Sequence, residues 1–490
     1  MHETREERRK EQTDEIPINR HQKANHYVIM IKRTKSLFVE ARYRPVYNGV
    51  IPSKEMVFMN RRNMLSYVVA IPVAASLLLA GCNNGAKTAG GDAGAGGSKK
   101  LVIAWAKWEP ADNLQKLAAD YTKETGTEVE VQQIPWSDFE TKINSAWSGQ
   151  DSSFDLVVGD SQWLGKGATN GHYVDLTDWS KTEIPVADIE PAALKNYGEY
   201  DGKLYAVPCM ADGIGFSYRK DLFEDAAEKA SFKAKYGKEL AVPETWEDFQ
   251  KIAEFFTRPD KNLFGTALFY SKEVDGATMG FDQVLWAFGG NLSDNGPAAQ
   301  KALDFWIGLK KFCPPGAETF YFSESLTAFQ EGKVATAMNW FAFMPGLVKP
   351  EQNKFADKTG YFVMPKGPAG RFISLGGQGL SVSAYSKNQD DAKKFAAWFS
   401  KEDTQKKWVA LGGLTANKKV AATDEFKKAN PYNETFSQSV QYLKDFYNTP
   451  DYTELLKISQ DELSAAITGA KTSKAALDAI AEGHAKYIKK

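Results

Sequence analysis

Residues 101–160, LVIAWAKWEPADNLQKLAADYTKETGTEVEVQQIPWSDFETKINSAWSGQDSSFDLVVGD, decide the fold. The run opens on a short apolar strand, LVIAWA. Leu114, Leu117, Ala118 and Tyr121 then recur at helical spacing, and Gly126 stops that helix. TEVEVQQI (127–134) alternates like a strand. WSDFETKINSAWSG (136–149) is helical, with Ser137 placed to cap it, and FDLVVGD (154–160) is the continuous apolar run of a buried strand. A β-α-β-α-β order of this kind predicts an α/β lobe built on a mostly parallel sheet.

The alternation continues beyond it. KLYAVPCM (203–210), GIGFSYR (213–219), FGTALFY (264–270), VATAMNW (334–340) and GLSVSAYS (379–386) read as strands. Helical stripes lie between them, one opening at PETW (243–246) with Thr245 near its start, and residues 424–490 are nearly all helical. At 490 residues the chain suits two or three domains. Its 43% hydrophobic content is enough for a sizeable core. A net charge of −1 excludes the basic excess that nucleic-acid binders carry.

The N-terminal region has a different character. Residues 1–58 are highly charged with no sustained apolar period, and they are expected to lie outside the folded protein, with translation starting at Met56 or Met59. MNRRNMLSYVVAIPVAASLLLAGC (59–82) has the parts of an export signal: Arg61 and Arg62, an apolar stretch from Met64, and the small-residue end LAGC, which resembles a lipobox. That resemblance implies a signal peptide over 59–81, cleavage before Cys82, and lipid on Cys82. The Gly-rich residues 82–99 read as a flexible tether. An exported protein anchored by lipid to a membrane is expected.

Four motifs in order carry a further resemblance. They are YDGKLYAVPCMADGIGFSYRKDLFE (200–224), PETWEDF (243–249), AFQEGKVATAMNW (328–340) and SVSAYSKNQDDAKKFAAWFS (381–400). Together they resemble the extracellular solute-binding proteins, family 1, of sugar-type ABC importers, the maltose-binding-protein-like group, over roughly residues 100–490. The resemblance implies a two-lobed α/β fold, each lobe a mostly parallel sheet flanked by helices, joined by a multi-strand hinge. It implies discontinuous lobes, 100–209 plus 381–420 and 213–375 plus 425–490, with crossings near Met210–Gly213, Gly376–Gly379 and residue 420. The glycines of LGGQG (375–379) suit either a hinge or an ordinary turn. The implied partners are a sugar and the permease subunits of the transporter, with the protein a monomer.

A sugar needs hydrogen-bonding groups for its hydroxyls and aromatic faces for its C–H surfaces. Five places combine them: Trp108 and Glu109 after the first strand; Asp160, Gln162 and Trp163 after the third; Asp212 at the first crossing; Asn339 and Trp340 at a strand end; and Gln378 in GGQG. Core packing, helix capping and turn formation are the competing roles of these residues. The first loop departs from the maltose-binding pattern at Lys107, Trp108 and Glu109, so no oligosaccharide preference is implied. A mono- or disaccharide or a related polyol is the expected ligand. The alternatives are a polyamine, a metal chelate or another small molecule on the same fold, and, more remotely, a secreted glycosidase.

No G-x-S-x-G, Walker-type loop, H-E-x-x-H or C-x-x-C is present, so neither catalysis nor a cofactor is expected. With His2, His21 and His26 in the first segment, only His172 and His484 remain for a metal site, and none is expected. Cys209 and Cys313 read as two buried free thiols.

Overall fold

In the computed structural model the described residues are 100–488 and two strands nearer the N-terminus, β1 (Tyr27–Arg33) and β2 (Val39–Pro45). These two pair antiparallel from Tyr27↔Pro45 to Arg33↔Val39. Their Val, Ile and Tyr content supports extended backbone, so local strand propensity is present in a stretch expected to lie outside the folded protein. Residues 59–99, where a signal peptide, a lipidated Cys82 and a tether are expected, lie outside the described residues.

The first sheet begins as the sequence predicts. β3 (Lys100–Ala106), α1 (Glu109–Thr125), β4 (Glu128–Ile134), α2 (Trp136–Ser148) and β5 (Leu156–Asp160) follow one another, and β3 pairs parallel with both β4 and β5. Gly126 closes α1 in the left-handed conformation at φ 74°. Two helix starts differ from expectation. α2 begins at Trp136 behind Pro135, with Ser137 inside it and no side-chain cap. α1 begins at Glu109, ahead of the stripe that opens at Leu114, because Pro110 is preorganised for a first helical turn, and this leaves Trp108 extended at the cap position.

Two later strands complete this sheet. β6 (Ala206–Met210) forms one edge. β11 (Gln378–Val382) lies antiparallel between β5 and β6, giving the order β4-β3-β5-β11-β6. A second sheet has the order β8-β9-β7-β10: Phe264–Ala267, Val334–Trp340, Ile214–Arg219 and Thr359–Phe362. β8 and β9 are parallel, while β7 runs against both its neighbours. Each sheet therefore carries one reversed strand, and in both cases it is a strand that directly follows a crossing between the sheets. All five residues of β5 and β11 and all seven of β9 are buried, as expected of strands covered on both faces.

The chain crosses between β6 and β7 at Ala211–Gly213, and again between β10 and β11. Gly376 N–H donates to the Asp212 carbonyl at 3.2 Å, which ties the two crossings together. The glycines here serve close approach. None of Gly376, Gly377 and Gly379 has a positive φ. A Cβ at Gly377 would fall 2.0 Å from the Tyr197 ring, and one at Gly376 would fall 2.6 Å from the Trp340 ring. The Tyr197 ring has no room to yield, since it is itself buried away from the cavity.

Candidate functional site

Strand ends from the two sheets face each other across a cavity of about 190 Å3. β5 ends at Asp160 and β11 begins at Gln378, and the two residues are register partners. Asp212 sits on the first crossing. α3 (Gly276–Ala287) is preceded by Asp275, and Tyr321 precedes the helix Phe322–Gln330. All five of these side chains line the cavity, together with Gln162 and the rings of Trp108, Trp136, Trp340, Phe322 and Phe343.

The polar groups share a pattern. Asp160 Oδ1 accepts the Gln162 N–H at 3.2 Å, capping the turn that follows β5. Asp212 Oδ1 accepts the N–H groups of Gly213 at 2.8 Å and Ala342 at 3.2 Å. Asp275 Oδ1 accepts the Tyr321 hydroxyl at 2.5 Å, and Tyr321 accepts the Trp340 Nε1–H at 3.3 Å. Each carboxyl is thus held through its Oδ1, and the Phe341 N–H adds a further backbone donor beside Asp212. Gln378 is fixed likewise, its Oε1 accepting Trp105 Nε1–H at 2.5 Å. On the donor side, Trp108 Nε1–H is buried without a hydrogen-bond partner among the described residues.

Burial sets the electrostatics. It pushes the Asp212 carboxyl up to about 8 and Asp275 up to about 6, and holds Asp160 well above the usual carboxylate range, with the negative charge of Asp275 adding to the effect. Among the described residues no group of three or more His, Cys, Asp or Glu side chains is arranged to hold a metal ion. Cys209 and Cys313 are buried and free.

Of the nine residues singled out in the sequence, Trp108, Asp160, Gln162, Asp212, Trp340 and Gln378 line the cavity. Three do not. Glu109 is exposed at the rim, 3.4 Å from Lys349 Nζ of the other lobe. Trp163 is buried behind the wall, its ring stacked on Trp136 at 6.2 Å and 16°. Asn339 donates to the Phe322 carbonyl and accepts the Trp340 N–H, both at 2.9 Å, so it braces two wall residues from behind.

Sequence reasoning missed Trp136, Asp275, Tyr321, Phe322 and Phe343. Trp136 carried the signal used for Trp108, an aromatic directly after a strand, but was absorbed into a helical stripe. Asp275 and Tyr321 stand in loops ahead of helices, where nothing local distinguishes a cleft from solvent.

Among the described residues no helix is long and apolar enough to cross a membrane. The chain is 30% identical over 315 residues to a probable ABC transporter-binding protein of Deinococcus radiodurans, covering 60% of this chain and 70% of that one. It is also 30% identical over 256 residues to a mannitol-binding protein of Pseudomonas aeruginosa, covering 50% of this chain and 54% of the relative. A solute-binding protein of an ABC transporter from Agrobacterium radiobacter, solved in complex with ribitol, superposes with a TM-score of 0.69 at 25% identity, over 79% of this chain and 99% of that one. Residues 107–406 match the model of the bacterial extracellular solute-binding proteins, and with two lobes enclosing a polar and aromatic cavity, the chain belongs to that family of exported proteins.

Proposed function

We propose that the protein binds a small sugar or a linear polyol between its lobes and delivers it to the permease of an ABC importer. One observation carries the reading: three buried carboxyls, each fixed in place through its Oδ1, face aromatic rings across a cavity. Carboxyls that carry a proton donate to ligand hydroxyl oxygens, ionised ones accept from them, and C–H faces pack on the indoles. Trp108 Nε1–H supplies a donor for a ligand oxygen. The relatives named for mannitol and ribitol support the same chemistry.

The cycle is binding and release without a chemical step. Ligand favours the closed arrangement only through contacts made to both lobes, and residues on both sheets supply them here. The lobes proposed as the moving bodies are 100–209 plus 381–420 and 213–375 plus 425–490, turning about the crossings. We further propose that the protein acts as a monomer and is tethered through lipid on Cys82 by the Gly-rich segment.

A specific feature favours weighing a second reading. Lys107 is the single cationic side chain among the residues lining the cavity, set against three acids, and acids ringed by aromatic faces also suit a polyamine. Thermal shift and Trp fluorescence against hexitols, pentitols, hexoses, disaccharides and polyamines separate the two. A ligand at 100 times its Kd adds about 2.7 kcal/mol of stability, which such a scan resolves. A rise in Tm with polyols or sugars is expected. A response confined to polyamines overturns the sugar reading and leaves the family assignment standing.

A further inference from the structure

The space between the lobes is divided in two. Beside the main cavity lies a second chamber of about 130 Å3, also lined from both lobes. Trp108 lines the first chamber and Glu109 the second; Phe343 lines the first and Ala342 the second. The wall is therefore one residue thick on each lobe. It closes where the Trp108 and Phe343 rings meet across the cleft, 6.0 Å between centroids. Both rings are braced. Trp108 stands edge-on to Trp105 at 5.7 Å, and Phe343 stacks on Phe322 at 4.4 Å and 8°. The Ala342 N–H bond to Asp212 pins the backbone beneath.

The second chamber has the chemistry of a sugar subsite. Asn113, Asn430 and the Glu109–Lys349 pair offer polar groups, and Tyr432 offers an aromatic ring. We infer that the Trp108–Phe343 contact is a septum that confines the ligand to one short sugar or polyol unit, and that the second chamber is a latent subsite for a second ring. The inference rests on the sugar or polyol reading above and adds size selection to it. It also explains why Glu109, adjacent in sequence to a wall residue of the first chamber, makes no contribution there.

The test is isothermal titration of the full chain, and of its Phe343→Ala and Phe343→Leu variants, with D-mannitol, ribitol, glucose, maltose and cellobiose. Phe343 is only half-buried, and the milder Phe343→Leu keeps an apolar side chain in place should Phe343→Ala lose its fold. The unaltered protein is expected to bind single units and neither disaccharide. In Phe343→Ala the preference for single units over disaccharides should fall by about tenfold or more, with Phe343→Leu between. Adding Tyr432→Ala to Phe343→Ala should abolish the gained disaccharide binding. Disaccharide binding by the unaltered protein equal to that of a single unit overturns the septum and leaves the sugar reading intact. A folded Phe343→Ala variant with unchanged preference does the same. Absence of binding to all five compounds overturns both.

Discussion

The two walls of the main cavity are built differently. The first-lobe wall comes from strand termini: Asp160 ends β5, Gln378 opens β11, and Trp108 and Trp136 are each the second residue after β3 and β4. On the second-lobe wall only Trp340 ends a strand, while Asp275, Tyr321 and Phe343 come from turns and helix approaches. In an α/β lobe the carboxyl ends of parallel strands converge on one edge, so strand prediction alone locates that wall. Loop-borne residues reach the cleft only through the path of the returning chain, which no local pattern records.

The largest expected effects test whether the two walls bear equally on the ligand. Asp160→Ala and Asp275→Ala each remove a hydrogen-bonding carboxyl from a dry cleft, a loss of about 1–3 kcal/mol, or roughly 5- to 150-fold in Kd. Titration calorimetry with the best ligand of the panel measures both. A large loss for Asp160→Ala with none for Asp275→Ala would show that the second lobe merely covers the site. Removing a stacking face is expected to cost less. Trp108→Ala and Trp136→Ala should each weaken binding by about two- to twelve-fold, from the ~0.5–1.5 kcal/mol of an aromatic contact, without altering any charge. Loss of Tm without loss of affinity would reassign those rings to lobe packing.

A third expectation concerns stability without ligand. The folded pKa values of Asp275 and Asp212, about 6 and about 8, exceed the unfolded value of about 3.9, so the folded protein holds protons that the unfolded chain has released. Their contribution is fully present below about pH 4 and is lost as pH rises through 6 and then 8. Asp445, pushed up to about 7 by burial, acts in the same direction. Tm of the empty protein should therefore decline across this window, and Asp212→Asn should flatten its upper part. A Tm that rises steadily from pH 5 to 8 would show that these carboxyls are ionised in the empty cleft. The smallest effect belongs to the rim. Glu109→Gln breaks an exposed pair with Lys349 and should change Kd by less than about fivefold.

Much of this was legible from residues alone. The β-α-β-α-β opening, the Gly126 stop and the Thr245 cap, which accepts the Asp248 N–H at 3.1 Å, follow local rules, whereas the crossing at Asp212 was implied by the family resemblance. Trp163 was not separable from its neighbours, because an aromatic after a strand is either a wall or the support behind one. Trp163 supports Trp136. Asn339 and Trp340 show the same limit within a strand: successive side chains point to opposite faces, and periodicity does not say which face meets the cleft. The glycines of LGGQG were read for their backbone freedom, whereas the constraint is volume, set by Tyr197 and Trp340, which are distant in sequence.

That volume constraint matters to anyone reprogramming the protein as a biosensor. The segment 375–379 looks attractive for randomisation, since Leu375, Gly376 and Gln378 line the cavity. Yet a methyl group at Gly376, Gly377 or Gly379 would meet an indole, a phenol ring or the Tyr197 carbonyl well inside contact distance. A saturation library there would spend most of its members on chains that do not assemble. Screening would score them as lost recognition when they are lost folds. The productive diversity lies across the cleft, at half-buried Phe322 and Phe343, where side chains can change size without displacing backbone.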